Sequence, residues 1–198
     1  SKLGTYVITY TASDASGNAA APVTRSVLVD DTIAPVITLS GNAAVTHEAG
    51  TTYTDEGATV TDNDGSVKVT TSGSLNVNTP GSYTLTYTAT DSAGNEAIPL
   101  SRTVNVVDTT GPVITLIGEA NLTHDAGSEY VDAGAVWNDL VDGNGTADAN
   151  GTVNVNVPGI YEITYSFTDS SENQANPVVR TVEVIDTKGP VITLIGDA

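Results

Sequence analysis

The chain has 198 residues, 24 acidic against six basic, a formal charge of -18, 39% hydrophobic residues, and neither Cys nor Met. That balance excludes a nucleic-acid binder, which needs Lys and Arg to release counterions, and an anionic membrane surface would repel it. No apolar run reaches the ~20 residues of a membrane span, and no disulfide or cysteine nucleophile is available.

In chain order, Tyr6, Ile8, Tyr10 and Ala12 alternate with polar residues, and so do Val27 and Val29. Period two with one apolar face predicts half-buried strands, and this patterning excludes a disordered chain. The segment Asp-Thr-x-x-Pro-Val-Ile-Thr-Leu follows at Asp31–Leu39 and recurs at Asp108–Leu116 and Asp186–Leu194. A second segment, Gly-x-Tyr-x-(Ile/Leu)-Thr-Tyr, starts at Gly4, Gly81 and Gly159, at intervals of 77 and 78 residues. A fixed period over the whole length predicts a tandem array. Residues 1–31 correspond to the second half of a preceding repeat (strands F and G). Residues 32–108 and 109–186 are complete repeats, and 187–198 match the first strand of a following one. With no start Met and with ends out of phase, the chain reads as a slice of a longer array.

Within a repeat the expected strands are A (35–40), B (43–48), C (57–61), D–E (66–77), F (82–90) and G (99–107). Turn residues separate them at sandwich-like spacing. Pro35 opens strand A, where proline is tolerated. Tyr83, after Pro80-Gly81, is placed as a tyrosine corner. Gly145 and Ala147 stand where the earlier repeat has Val67 and Val69, so strand D is expected to be poor or missing there. No segment shows helical periodicity. The fold class is all-β: tandem immunoglobulin-like β-sandwiches, two complete repeats with a partial repeat at each end.

These residues carry a family resemblance. Pro-Val-Ile-Thr-Leu, the block Glu48-Ala49-Gly50…Tyr53-x-Asp55-x-Gly57-Ala58, Pro80-Gly81-Ser82-Tyr83 and Asp91-Ser92-Ala93-Gly94-Asn95 resemble the immunoglobulin-like repeats of bacterial surface proteins, relatives of hyalin-repeat and cadherin-like domains. The resemblance covers the whole chain. It implies an extracellular stalk or adhesin segment and no reaction. The linker is similar to that of cadherins, but it holds no Asp-x-Asp and the chain no Asp-Arg-Glu triplet, so a three-ion cluster is not carried over.

If strand B returns to the end where strand A entered, the entry end of the first full repeat gathers Asp31, Glu48, Asp55, Asp91 and Asn95. The next repeat gathers Asp108, Asp125, Asp132, Asp169 and Asn173. The C–D loops, with Asp62 and Asp64, then Asp139 and Asp142, are placed at the opposite end, facing the following repeat. Two carboxylates about 5 Å apart repel by roughly 3 kcal/mol at an effective dielectric near 20. Arg102 and Arg180 can each pair with one. The surplus of hard oxygens suits calcium, which takes six to eight oxygen ligands. The competing reading is solvated Asx turns, because Asp and Asn bond their own backbone in such loops. Gly94 is expected to supply a positive φ, and Glu172 in its place weakens the rigid-loop reading in the later copy.

Other motifs are weaker. Asp62-Asn63-Asp64-Gly65 fails as an EF-hand because its twelfth position is Gly73. Asp142, Asn144, Thr146 and Asp148 read as a polar hairpin rather than an ion loop. His47 and His124 read as strand-end residues, and Trp137 as a strand C core residue rather than a sugar platform. Every acidic cluster recurs per repeat, which favours a scaffold over an enzyme. The function expected is a stalk or spacer of a large bacterial surface adhesin, its junctions rigidified by calcium. The alternatives are a carbohydrate-binding or homophilic adhesion module, or a filament subunit completed end to end by strand addition. The expected partners are neighbouring repeats of the same chain and other copies end to end.

Overall fold

The computed structural model describes residues 3–63 and 65–196; Asp64, one of the expected ligands, lies outside them. The chain divides into two compact units. One comprises Ser1–Val45, Thr54–Leu75 and Ser82–Asn105, the other Thr46–Tyr53, Asn76–Gly81 and Val106–Ala198. Each is described by itself.

The first unit opens with β1 (Gly4–Tyr10) and β2 (Val23–Val29), an antiparallel hairpin. In the first full repeat β3 (Val36–Leu39) pairs antiparallel with β5 (Ala58–Thr61). A four-stranded sheet orders β4 (Ala44–Glu48), β8 (Leu100–Val107), β7 (Gly81–Thr88) and β6 (Thr70–Ser72). The second full repeat uses the same plan. β9 (Val113–Leu116), β11 (Ala135–Asp139) and β12 (Gly143–Thr146) form one sheet, with β11 in the middle. β10 (Asn121–Asp125), β15 (Val178–Ile185), β14 (Gly159–Ser166) and β13 (Asp148–Asn150) form the other. Ile114, Ala135, Ile163, Tyr165 and Ala175 meet in its core. They are the inward members of the alternating runs, as period-two burial requires. The tyrosine corner is present in this repeat: Tyr161 donates its hydroxyl to Val157 O at 2.8 Å.

Two expectations are corrected. The second strand does not reverse the first. β10 pairs with β15 in parallel, Asn121 opposite Thr181 and Asp125 opposite Ile185. The chain crosses from one sheet to the other at residues 117–120 and keeps its direction, so Asp125 lies at the exit end. β11 is antiparallel to β9, with Asn138 opposite Val113, and returns its far end to the entry. Strand D, expected to be missing from this repeat, is β12. Gly145 is the reason. Trp137 lies opposite it in the ladder, and a Cβ at Gly145 would come within 2.9 Å of the indole. The bare backbone seats the ring, which stacks on Phe167 at 4.0 Å and 10°. Trp137 therefore packs against the core cluster, as expected for strand C.

The crossing is held by an arginine from the far end of the sequence. A guanidinium has five N–H donors in a fixed fork. Arg180, 1% exposed, places Nε on Glu119 O (3.1 Å), Nη1 on Asp132 and on the Tyr165 hydroxyl (2.9 Å), and Nη2 on Ile117 O and Gly134 O (3.2 Å). All five donors are used. Arg102 repeats the arrangement with Asn42 O, Asp55, the Tyr87 hydroxyl, Ser40 O and Gly57 O. Tyr87 in turn donates to Asp55 at 2.9 Å. Burial pushes the Asp55 and Asp132 carboxyls up, but the tyrosine hydroxyls and the guanidinium outweigh it, so both sit below the usual carboxylate range. Burial and the neighbouring Asp132 push the Tyr165 hydroxyl well above the usual tyrosine range.

Removing one partner leaves a buried charge alone, so Asp132→Ala is expected to cost about 3–5 kcal/mol in urea unfolding. The carboxyl is depressed in the folded state, so its contribution is complete above its unfolded pKa of about 3.9 and is lost as pH falls through the folded value. Stability of the native chain therefore declines on acidification below about pH 4. An Asp132→Asn variant is expected to decline less steeply over the same range.

Candidate functional site

The turn between the last two strands is built the same way in all three copies. Asp91 Oδ1 accepts the N–H groups of Ala93 (2.9 Å) and Asn95 (2.8 Å), and its Oδ2 accepts Asn95 Nδ2 (2.7 Å). Asp14 and Asn18, and Asp169 and Asn173, repeat the set. This is Asx-turn chemistry closed by an amide. Burial pushes the Asp91 carboxyl up, and the Asn95 amide and backbone donors more than offset this, leaving it below the ordinary range. Gly94 adopts φ +92° and Glu172 adopts +68°. The turn around Glu172 therefore adopts the same left-handed backbone as its glycine counterpart, with the same set of Asp and Asn hydrogen bonds.

Each asparagine also reaches the incoming linker. Asn95 Nδ2 donates to Asp31 O at 3.1 Å, and Asn173 Nδ2 to Asp108 O at 3.2 Å. The linker aspartate is thus fixed beside the turn. Because β5 and β11 return to the entry end, the C–D loops arrive there too. One carboxylate oxygen each from Asp31, Asp62 and Asp91 lies within 4.8 Å of the others, and the same holds for Asp108, Asp142 and Asp169. The expected strand order puts Asp62 at the opposite end; the antiparallel pairing of β3 with β5 overturns that. Asp142 follows Val141, an extra residue in the second repeat. Its membership depends on β9 pairing with β11, which the motif spacing does not express.

The other expected members lie elsewhere. Glu48 sits at the exit end, its Oε1 accepting Thr109 N (2.9 Å) and the Thr110 hydroxyl (2.8 Å), its Oε2 the Thr109 hydroxyl (2.8 Å). The Thr109 and Thr110 donors hold its carboxyl below the usual range. Asp125 occupies the same place and accepts the Thr187 hydroxyl at 3.0 Å. Parallel pairing of β10 with β15 carries Asp125 away from the entry end, and the contacts of Glu48 with Thr109 and Thr110 put it in the corresponding place at the outgoing linker. Asp55 and Asp132 are committed to Arg102 and Arg180. Asn95 and Asn173 are beside the clusters, with their amide nitrogens spent on holding them together.

The model of one family, described as "Bacterial surface protein, Ig-like domain", matches residues 37–106 and 114–184. The chain belongs to this bacterial surface Ig-like family. It is 32% identical over 206 residues to hyalin of Strongylocentrotus purpuratus, covering 96% of the chain and 17% of hyalin; it thus spans under a fifth of that relative's length. Among solved structures, a lipoprotein of Bacteroides thetaiotaomicron is 22% identical at TM-score 0.34, with 40% of each chain covered. The M60 catalytic domain with carbohydrate-binding modules of Clostridium perfringens ZmpB is 16% identical at TM-score 0.41, with 91% of this chain and 33% of that one covered.

Each matched Ig-like domain begins just after its linker aspartate, so the carboxylate clusters join the domain to the linker that enters it. His47 and His124 are engaged in their own turns, with Thr51 and Ser128, and stack edge-on against Tyr53 and Tyr130. No helix of the described residues is long and apolar enough to cross a membrane.

A left-handed conformation costs a side-chain-bearing residue roughly 1–2 kcal/mol, part of which glycine returns as chain entropy. Glu172→Gly is therefore expected to raise the unfolding free energy by about 1 kcal/mol, measured by urea denaturation. An unchanged midpoint would show that the turn carries no backbone strain.

Proposed function

We propose that this chain is a non-catalytic spacer of a bacterial surface protein, placed outside the cell, whose task is to hold successive Ig-like domains in a fixed relation. One observation carries the reading. The linker at residues 108–110 is gripped from both directions. Glu48, from the domain before it, takes the backbone N–H of Thr109 and the hydroxyls of Thr109 and Thr110. Asn173, from the domain after it, takes the carbonyl of Asp108. A flexible tether would leave such groups to water. The recurrence of the grip at Asp125 with Thr187 supports a device used at every junction.

Calcium at these junctions is part of the proposal. Acidic oxygens from linker, loop and turn converge there, and only six basic residues offset 24 acidic ones. A bound ion would neutralise carboxylates that otherwise repel. The family's description as bacterial surface protein domains supports the location.

The test is small-angle scattering of the native chain and of Glu48→Ala. The native chain is expected to show one maximum dimension and a narrow distance distribution. Glu48→Ala is expected to broaden that distribution with no change in the circular dichroism of the strands. Identical curves for the two would overturn the linker grip as the source of rigidity.

A further inference from the structure

The linker aspartate is held differently in the two carboxylate clusters. In the first, Asn63 Nδ2 donates to Asp31 Oδ2 at 2.9 Å. The residue after Asp62 is Asn63, whereas the residue after its counterpart Asp139 is Leu140, which has no donor. In the second cluster Asp108 Oδ1 accepts Thr110 N at 3.3 Å, but Asp108 Oδ2 is buried with no hydrogen-bond partner, on a residue only 9% exposed. A buried carboxylate oxygen left without a donor pays its full desolvation penalty. One oxygen of the same carboxylate lies within 4.8 Å of a carboxylate oxygen from each of Asp142 and Asp169.

Resting on the reading of the junctions as calcium-stiffened, we propose that Asp108, Asp142 and Asp169 form a divalent-cation site, with calcium as its ion. The donor set is all oxygen and anionic, which selects a hard cation over zinc. The three ligands come from separate segments: the linker, the C–D loop and the F–G turn. Calcium tolerates the irregular geometry such a set gives, while magnesium demands a near-ideal octahedron. Two ligands are preset. Asp169 is oriented by Ser171 N, Asn173 N and Asn173 Nδ2, and Asn173 ties the Asp108 backbone to the same turn. Asp142 is the exposed member, held by Ser170 N at 3.3 Å, and opens the site to solvent. Water supplies the remaining positions.

The experiment is a calcium titration of the whole chain after chelator treatment, followed by calorimetry and by sensitised terbium luminescence. The native chain is expected to bind calcium with a Kd of about 10⁻⁴–10⁻³ M, the range of extracellular modules. Asp142→Asn, at an exposed position, is expected to weaken binding about tenfold or more. Asp148→Asn, at an exposed position outside the cluster, is expected to leave binding unchanged. Circular dichroism verifies that both variants fold. Calcium binding of unchanged affinity and stoichiometry in Asp142→Asn overturns this assignment and leaves calcium at the junctions standing. No binding up to about 10 mM calcium, above the weak end of the extracellular range, overturns both the site and the calcium component of the functional reading. The linker grip is judged separately, by scattering of Glu48→Ala.

Discussion

Everything in a repeat is arranged around one buried arginine. Arg180 gives its five N–H groups to acceptors from three places: the carbonyls of the crossing (Ile117, Glu119), the loop before β11 (Asp132, Gly134) and the hydroxyl of Tyr165 on the neighbouring strand. The guanidinium carbon also lies 5.5 Å from the centre of the Tyr165 ring. No other side chain carries five donors in a rigid plane. Breaking any of these bonds inside the sandwich strands a polar group without water to replace it. The crossing is what sends β10 beside β15, so the arginine decides which end of the domain each acidic loop occupies.

That decision sorts the carboxylates into three kinds. Asp55 and Asp132 are structural, spent on the arginines. Glu48 and Asp125 face the outgoing linker and are satisfied by threonine hydroxyls. Among the described residues, linker, C–D and F–G aspartates are the ones gathered with like charges. The charge of -18 is thus unevenly distributed in its consequences.

Much of this was legible in the sequence. The alternating runs around Tyr83 and Tyr161 gave strands, the recurring aspartate–asparagine turns gave the F–G loops, and the scarcity of cations pointed to Arg102 and Arg180 as partners. The path of the second strand was not legible. A four-residue connection containing Gly41 or Gly118 can close a hairpin or cross between sheets, and the residue that settles the matter lies some 60 positions away (Arg102 Nε to Asn42 O). From that one undetermined turn came the misplacement of Glu48, Asp55 and Asp62 together. Strand D was missed for a different reason. Gly145 looks like a weak strand residue by propensity, yet it is the flat floor on which Trp137 lies.

The parallel pairing of β10 with β15 also decides how the domain meets a pull along the chain. Tension from the preceding segment draws β10 toward the entry, and tension from the following one draws β15 toward the exit. The two neighbours are dragged past each other lengthwise, so the five paired positions from Asn121 with Thr181 to Asp125 with Ile185 bear the load together. In a hairpin pulled at its open end the same bonds would break in succession, like a zip. The crossing held by Arg180 therefore sets the fold in the geometry where a modest ladder gives its greatest resistance to force.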